Sequence, residues 1–76
     1  TSYDQELGSQ LYDLLSELPS QLQTVLDLHY FQGFSVKEIS HILGNSQSKV
    51  KIDLMRGRNK LKKIIKERGL SYEDLI

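Results

Sequence analysis

The sequence has no cysteine and no tryptophan, and it has one proline and one methionine among its 76 residues. The missing thiols exclude a disulfide framework and cysteine-bound zinc, and they suit a reducing cytoplasm. His29 and His41 stand twelve residues apart, with no cluster of further ligands near either. Each reads as an ordinary helix residue, so no metal is expected. There is no glycine-rich phosphate loop and no nucleophile elbow. An enzyme and a bound cofactor are therefore not expected. No apolar run approaches the roughly 20 residues of a membrane span, and the acidic, polar start is not a signal peptide. These absences together predict a cytoplasmic protein with no membrane partner.

Cations are also scarce, but only over the first half. Lys37 is the only basic residue before Lys49, and nine Lys and Arg then crowd into Lys49 to Arg68. From Thr1 to Asn45, Asp4, Glu6, Asp13, Glu17, Asp27 and Glu38 oppose Lys37, a net of minus five, so the formal charge of zero leaves plus five for Ser46 to Ile76. A basic block behind a turn and on a helical period is the electrostatic footprint of a nucleic-acid reader. A chain this short buries only about 60 to 65% of its unfolded surface. It is expected to form one small domain, with room for one core and one working face.

The apolar residues repeat at helical and not strand spacing, which predicts an all-α fold of four helices at about 3–16, 19–32, 36–43 and 47–67, with an acidic tail at 70–76. Leu7, Leu11, Leu14 and Leu15 form the first stripe. Pro19 suits the first turn of the second helix, where its missing N–H breaks no internal bond, and Leu22, Val25, Leu26 and His29 continue one face toward Phe31 until Gly33 ends it. Ser35 and Glu38 have the spacing of a capping box for the third helix, which buries Ile39, Ile42 and Leu43. Gly44 supplies a left-handed turn and Ser46 caps the fourth helix. In that helix Val50, Leu54, Leu61 and Ile64 face inward over Gly57. At 100° per residue Ile52, Met55, Arg56, Asn59 and Lys63 group outward, flanked by Lys49 and Lys51.

A short capped helix, a glycine turn and a long helix that starts uncharged and continues basic describe a helix-turn-helix with a long basic recognition helix. Such a helix lies in the major groove, where base edges present a readable donor and acceptor pattern, while Lys and Arg neutralise phosphates. The plainer alternative is the solvated basic face of a helical bundle. Leu18-Pro19, Val25 to Tyr30, Gly33-Phe34-Ser35, Glu38-Ile39-Ser40, Ile42-Leu43-Gly44, Ser46, Val50-Lys51 and Arg56 to Leu61 together resemble region 4 of bacterial RNA polymerase sigma factors, particularly the extracytoplasmic-function group. The resemblance covers roughly Ser16 to Lys66. It implies recognition of the promoter minus-35 element by the fourth helix and docking on the β flap of the RNA polymerase core. An anti-sigma factor or other regulatory protein is a further implied partner. The region that reads the minus-10 element has no counterpart in these residues, which implies an excised domain or half of a split factor.

For DNA contact the candidates are Ser35, Lys37, Gln47, Ser48, Lys49, Lys51, Ile52, Met55 and Arg56. Lys51 and Arg56 keep the family's basic character and are the main candidates for phosphate or guanine. Gln47 and Ser48 occupy the first turn, within reach of base edges or phosphates. Ser35 and Lys37 stand at the start of the bracing helix, where a helix N-terminus favours phosphate. Ile52 and Met55 are apolar on an outward face, which suits a thymine methyl or a protein partner. Arg58, Lys60, Lys62, Lys63 and Lys66 suit diffuse attraction. The chain departs from the family pattern at Gln23, His29, Lys49, Ile52 and Asp53, and Gly57 replaces the usual Ala at a position read as packing. Asp53 is expected on the outward face, paired with Lys49 and Arg56 and repelling phosphate, so that Asp53→Arg would raise DNA affinity. An acceptor for a cytosine amino group is the alternative role. A second class of function is open: a protein-interaction module of the same fold, to which Ile52, Asp53 and the neutral total charge point.

Overall fold

A computed structural model of the chain describes residues 10–69, which fold mostly as helix. Helix α1 is described over 10–15. Its expected beginning, with Leu7, and the expected tail at 70–76 lie outside the described residues. Helix α2 is Ser20–Leu26 and runs directly into a π-helical turn, Asp27–Phe31. Helices α3, Val36–Leu43, and α4, Gln47–Glu67, have the bounds that the sequence predicts. Among the described residues there is no strand.

The core is the meeting of four apolar stripes. Leu15 and Leu18 join Leu22, Val25 and Leu26 of α2, Ile39 of α3, and Val50 and Leu54 of α4. Burying each such side chain contributes about 1.5–3 kcal/mol before entropy is counted. A smaller cluster, Leu14 with Ile65, fastens the far half of α4 to α1. The ion pair of Arg68 with Glu17 closes the same end. Helix α4 is therefore held along its length, and its opposite side is left to solvent.

Three details ahead of α4 depart from the sequence reading. Pro19 is the residue before α2 and not in its first turn: its ψ of 142° is extended, and its carbonyl accepts from the N–H groups of Leu22 and Gln23, each at 3.0 Å. The second helix does not continue as α-helix to residue 32. After Leu26 the hydrogen bonds lengthen to i→i+5, as in Gln32 N–H to the Asp27 carbonyl at 3.0 Å. The extra residue turns later side chains off the α-helical stripe, and Phe31 ends at the surface, 41% exposed. The third departure is Ile42, expected inside but 52% exposed. The inner face of α3 is centred on Leu43 between Ile39 and Ser40, and Ser40 is buried with its hydroxyl donating to the Lys37 carbonyl at 2.7 Å. Ile42 falls about 110° from the middle of that face at 100° per residue.

In the fourth helix the inward stripe also differs in one place. Ile65 is buried and Ile64 and Leu61 are half-buried, so the core face drifts by one position over the long helix. Gly33 and Gly44 take the positive φ angles, 77° and 69°, that end their helices.

Candidate nucleic-acid interface

The candidate surface is assembled from α3, the turn after it and the first half of α4, and each part is fixed by local chemistry. At the start of α3 the Ser35 N–H donates to Glu38 Oε1 at 2.9 Å, and the Glu38 N–H donates to Ser35 Oγ at 3.1 Å. The Ser35 backbone N–H, aided by its hydroxyl, holds the Glu38 carboxyl below the usual carboxylate range. At the other end Gly44 is left-handed, and the Asn45 N–H donates back to the Ser40 carbonyl at 3.0 Å. The chain is then extended at Ser46, whose Oγ accepts from the Lys49 N–H at 3.1 Å and starts α4. Two side-chain caps and one glycine thus set the angle at which α4 leaves α3.

Helix α4 has 21 residues and is roughly 31 Å long at 1.5 Å per residue. Gln47, Ser48, Lys51, Ile52, Met55 and Arg56 are all exposed on it, and Ser35 and Lys37 are exposed on the α3 side. Ile52 is 44% and Met55 50% exposed, so an apolar strip runs between Lys51 and Arg56. Neither of those two cations takes part in an ion pair among the described residues. The Ser35 N–H and hydroxyl, by contrast, are already engaged with Glu38.

Asp53 is where the structure corrects the sequence reading most. It is not on the outward face: its side chain is 7% exposed, it lies on the flank of the core stripe, and Lys49 Nζ reaches it at 2.7 Å. The expected second pair with Arg56 is not formed. A carboxylate so placed meets neither a phosphate nor a cytosine amino group, and an arginine there would bury a charge without its partner. Asp53→Arg is therefore expected to destabilise the fold instead of adding a cation to the outward face of α4. Lys49 belongs partly to the protein interior for the same reason: its side chain is 42% exposed but bound down.

A contact that the sequence reading missed joins α4 to the π turn. Arg58 Nη1 donates to the Tyr30 hydroxyl at 2.7 Å, which fixes one of the cations read as diffuse charge. Twenty-eight residues separate the two, and no local pattern announces the pair. In the same turn His29 Nδ1 donates to the Phe34 carbonyl at 2.8 Å and the Phe34 N–H donates to the Leu28 carbonyl at 2.9 Å. His29 therefore braces the loop that leads into α3. Among the described residues no group of three or more His, Cys, Asp and Glu could hold a metal ion, and no helix is long and apolar enough to cross a membrane.

The family model described as Sigma-70, region 4 matches residues 9–61, more than half of the chain and all of the α3–turn–α4 unit up to Leu61. The chain belongs to the sigma-70 region 4 family. This sigma-70 region 4 chain is 43% identical to RNA polymerase sigma factor SigZ of Bacillus subtilis (strain 168) over 51 residues, 67% of this chain and 29% of that protein. It is 35% identical to ECF RNA polymerase sigma factor SigM of the same organism over 68 residues, 90% of this chain and 41% of that protein. The region 4 chain thus spans less than half the length of either relative. No solved structure matches it significantly.

Proposed function

We propose that this chain reads the promoter minus-35 element as region 4 of a sigma factor, with α4 in the major groove and with docking on the β flap of RNA polymerase. One observation carries the reading: the capped α3, the left-handed Gly44 and the capped α4 leave Lys51, Ile52, Met55 and Arg56 exposed on one side of a long helix, and a major groove about 12 Å wide admits such a helix. The membership in the sigma-70 region 4 family supports it. So does the burial of Asp53, which keeps its carboxylate from opposing phosphate on α4.

A second reading has its own observation. Tyr12 and Phe31 stack edge to face, ring centres 5.4 Å apart, and both are a little under half exposed, on α1 and the π turn and not on α4. Exposed aromatic pairs of this kind suit a protein contact. Such a surface serves polymerase docking alongside DNA binding. In the second reading it serves instead a regulatory or anti-sigma partner, in a module with little DNA affinity of its own.

The experiment is a titration of the 76-residue chain with a duplex selected from a random-sequence library, at low and moderate salt. Affinity that falls steeply as salt rises supports the DNA reading, because counterions are released from each neutralised phosphate. An absence of salt-dependent binding supports the protein-interaction reading.

A further inference from the structure

We propose that Asp53 is an internal counter-ion that withholds Lys49 from DNA, so that α4 meets the phosphates with Lys51 and Arg56 while the nearer cation stays committed to the protein. The proposal rests on the DNA-binding reading above.

Lys49 stands in the first turn of α4, the part of a recognition helix that comes nearest the base pairs. A lysine there would ordinarily swing to whichever phosphate lies closest. Here its ammonium is 2.7 Å from Asp53 Oδ2, one helical turn onward, and that carboxylate is almost wholly removed from water. The burial decides which partner wins. An exposed carboxylate would release the lysine to a phosphate and be rehydrated, and exposed pairs are weak for this reason. Asp53 has no such recourse, because losing Lys49 would leave a desolvated charge uncompensated. Asp53 makes no other ion pair among the described residues that would replace it.

The consequence is for specificity more than for affinity. Phosphate contacts carry no sequence information, so a lysine kept off the backbone lowers binding to every duplex and leaves the side chains that face base edges, Gln47, Ser48 and Ile52, with a larger share of the discrimination. Asp53 is thus a positioning residue that acts through Lys49.

The test uses three variants of the 76-residue chain: Lys49→Gln, which keeps an N–H donor for Asp53 without the charge, Asp53→Asn, and the two combined. Each is titrated with the selected duplex and with an unrelated one over a series of salt concentrations, after circular dichroism has checked its fold. Lys49→Gln should leave the slope of log affinity against log salt unchanged. Asp53→Asn should steepen it by about 0.9, which makes affinity rise about 3.5-fold more than in the parent for a fourfold dilution of salt, on both duplexes. The combined variant should return to the parent slope. A Lys49→Gln slope flatter by about one overturns the proposal, since Lys49 would then be contacting phosphate already. A folded Asp53→Asn with the parent slope also overturns it. If Asp53→Asn does not fold, the Lys49→Gln slope decides alone. A parent chain that binds neither duplex sinks the DNA reading and this inference with it, whereas a flattened Lys49→Gln slope sinks only the inference.

Discussion

Gly57 of α4 lies against Leu26 of α2 so closely that a β-carbon at position 57 would meet Leu26 Cδ1 at 2.9 Å and Cγ at 3.0 Å. Leu26 is itself almost completely buried, so it has little room to give way. Gly57→Ala therefore sets two effects against each other. Alanine gains about 1 kcal/mol of helix propensity, while overpacking a filled core costs about 1–3 kcal/mol. We expect a net loss of about 1 kcal/mol in urea denaturation. In a Leu26→Ala background the obstruction is gone and the same change should stabilise. A gain in the parent background would show that the α2–α4 contact is slack.

Leu54→Ala should cost roughly 2–5 kcal/mol, because Leu54 sits in the main cluster with Val50 and Ile39. Ile42→Ala should change stability by no more than about 0.5 kcal/mol, because that side chain faces solvent from α3. Both are large apolar residues on helical stripes. Comparable losses in the two variants would mean that α3 is rotated from the orientation described.

The features legible in the sequence are those set by neighbours in the chain. Ser35 with Glu38, Gly44 and Ser46 fix the ends of α3 and α4 through bonds spanning a few residues, and the spacing alone identifies them. The positions of Ile42 and Phe31 were not legible, because one depends on how a short helix rolls on its neighbours and the other on a single π-type insertion. Asp53 is an intermediate case. It lies about 60° from Val50 at 100° per residue, inside the apolar half of α4, so the wheel contained its burial. Its charge argued the other way, and only the lysine four residues earlier makes the burial tolerable. At the candidate site the exposed cations were readable and the Arg58–Tyr30 bond was not, since it joins residues that only the folded packing brings together.

The capping box gives α3 a dependence on acid. Glu38 is held below the ordinary Glu value of about 4.3 by the Ser35 N–H and hydroxyl. A carboxylate with a lowered folded-state value adds stability that is fully present above the unfolded value and is lost as pH falls through the folded one. Glu38→Gln should therefore be less stable than the parent near about pH 7, and the difference should close toward about pH 3. Urea midpoints of both chains at the two pH values check this. A gap of constant size would mean that the charge adds nothing to the hydrogen bond.

Lys51, Arg56 and Ile52 share the exposed side of α4, yet salt separates what each would do on DNA. Lys51→Ala or Arg56→Ala removes a cation that no carboxylate among the described residues holds, so each should weaken binding and reduce the salt slope by about one if it touches phosphate. If either forks onto a guanine, the loss appears instead as about 1–3 kcal/mol at one base position. Ile52→Ala removes no charge. Its effect should be confined to one A·T pair, through a thymine methyl, with the slope against salt unchanged, because an apolar contact releases no counterions. None of the three should alter stability by more than about 0.5 kcal/mol, since all are exposed. Titrations of a selected duplex and of its single-base variants, at two salt concentrations, resolve the three cases. If all three variants bind as the parent does, the outward side of α4 does not meet DNA, and the exposed Tyr12 and Phe31 become the surface to pursue.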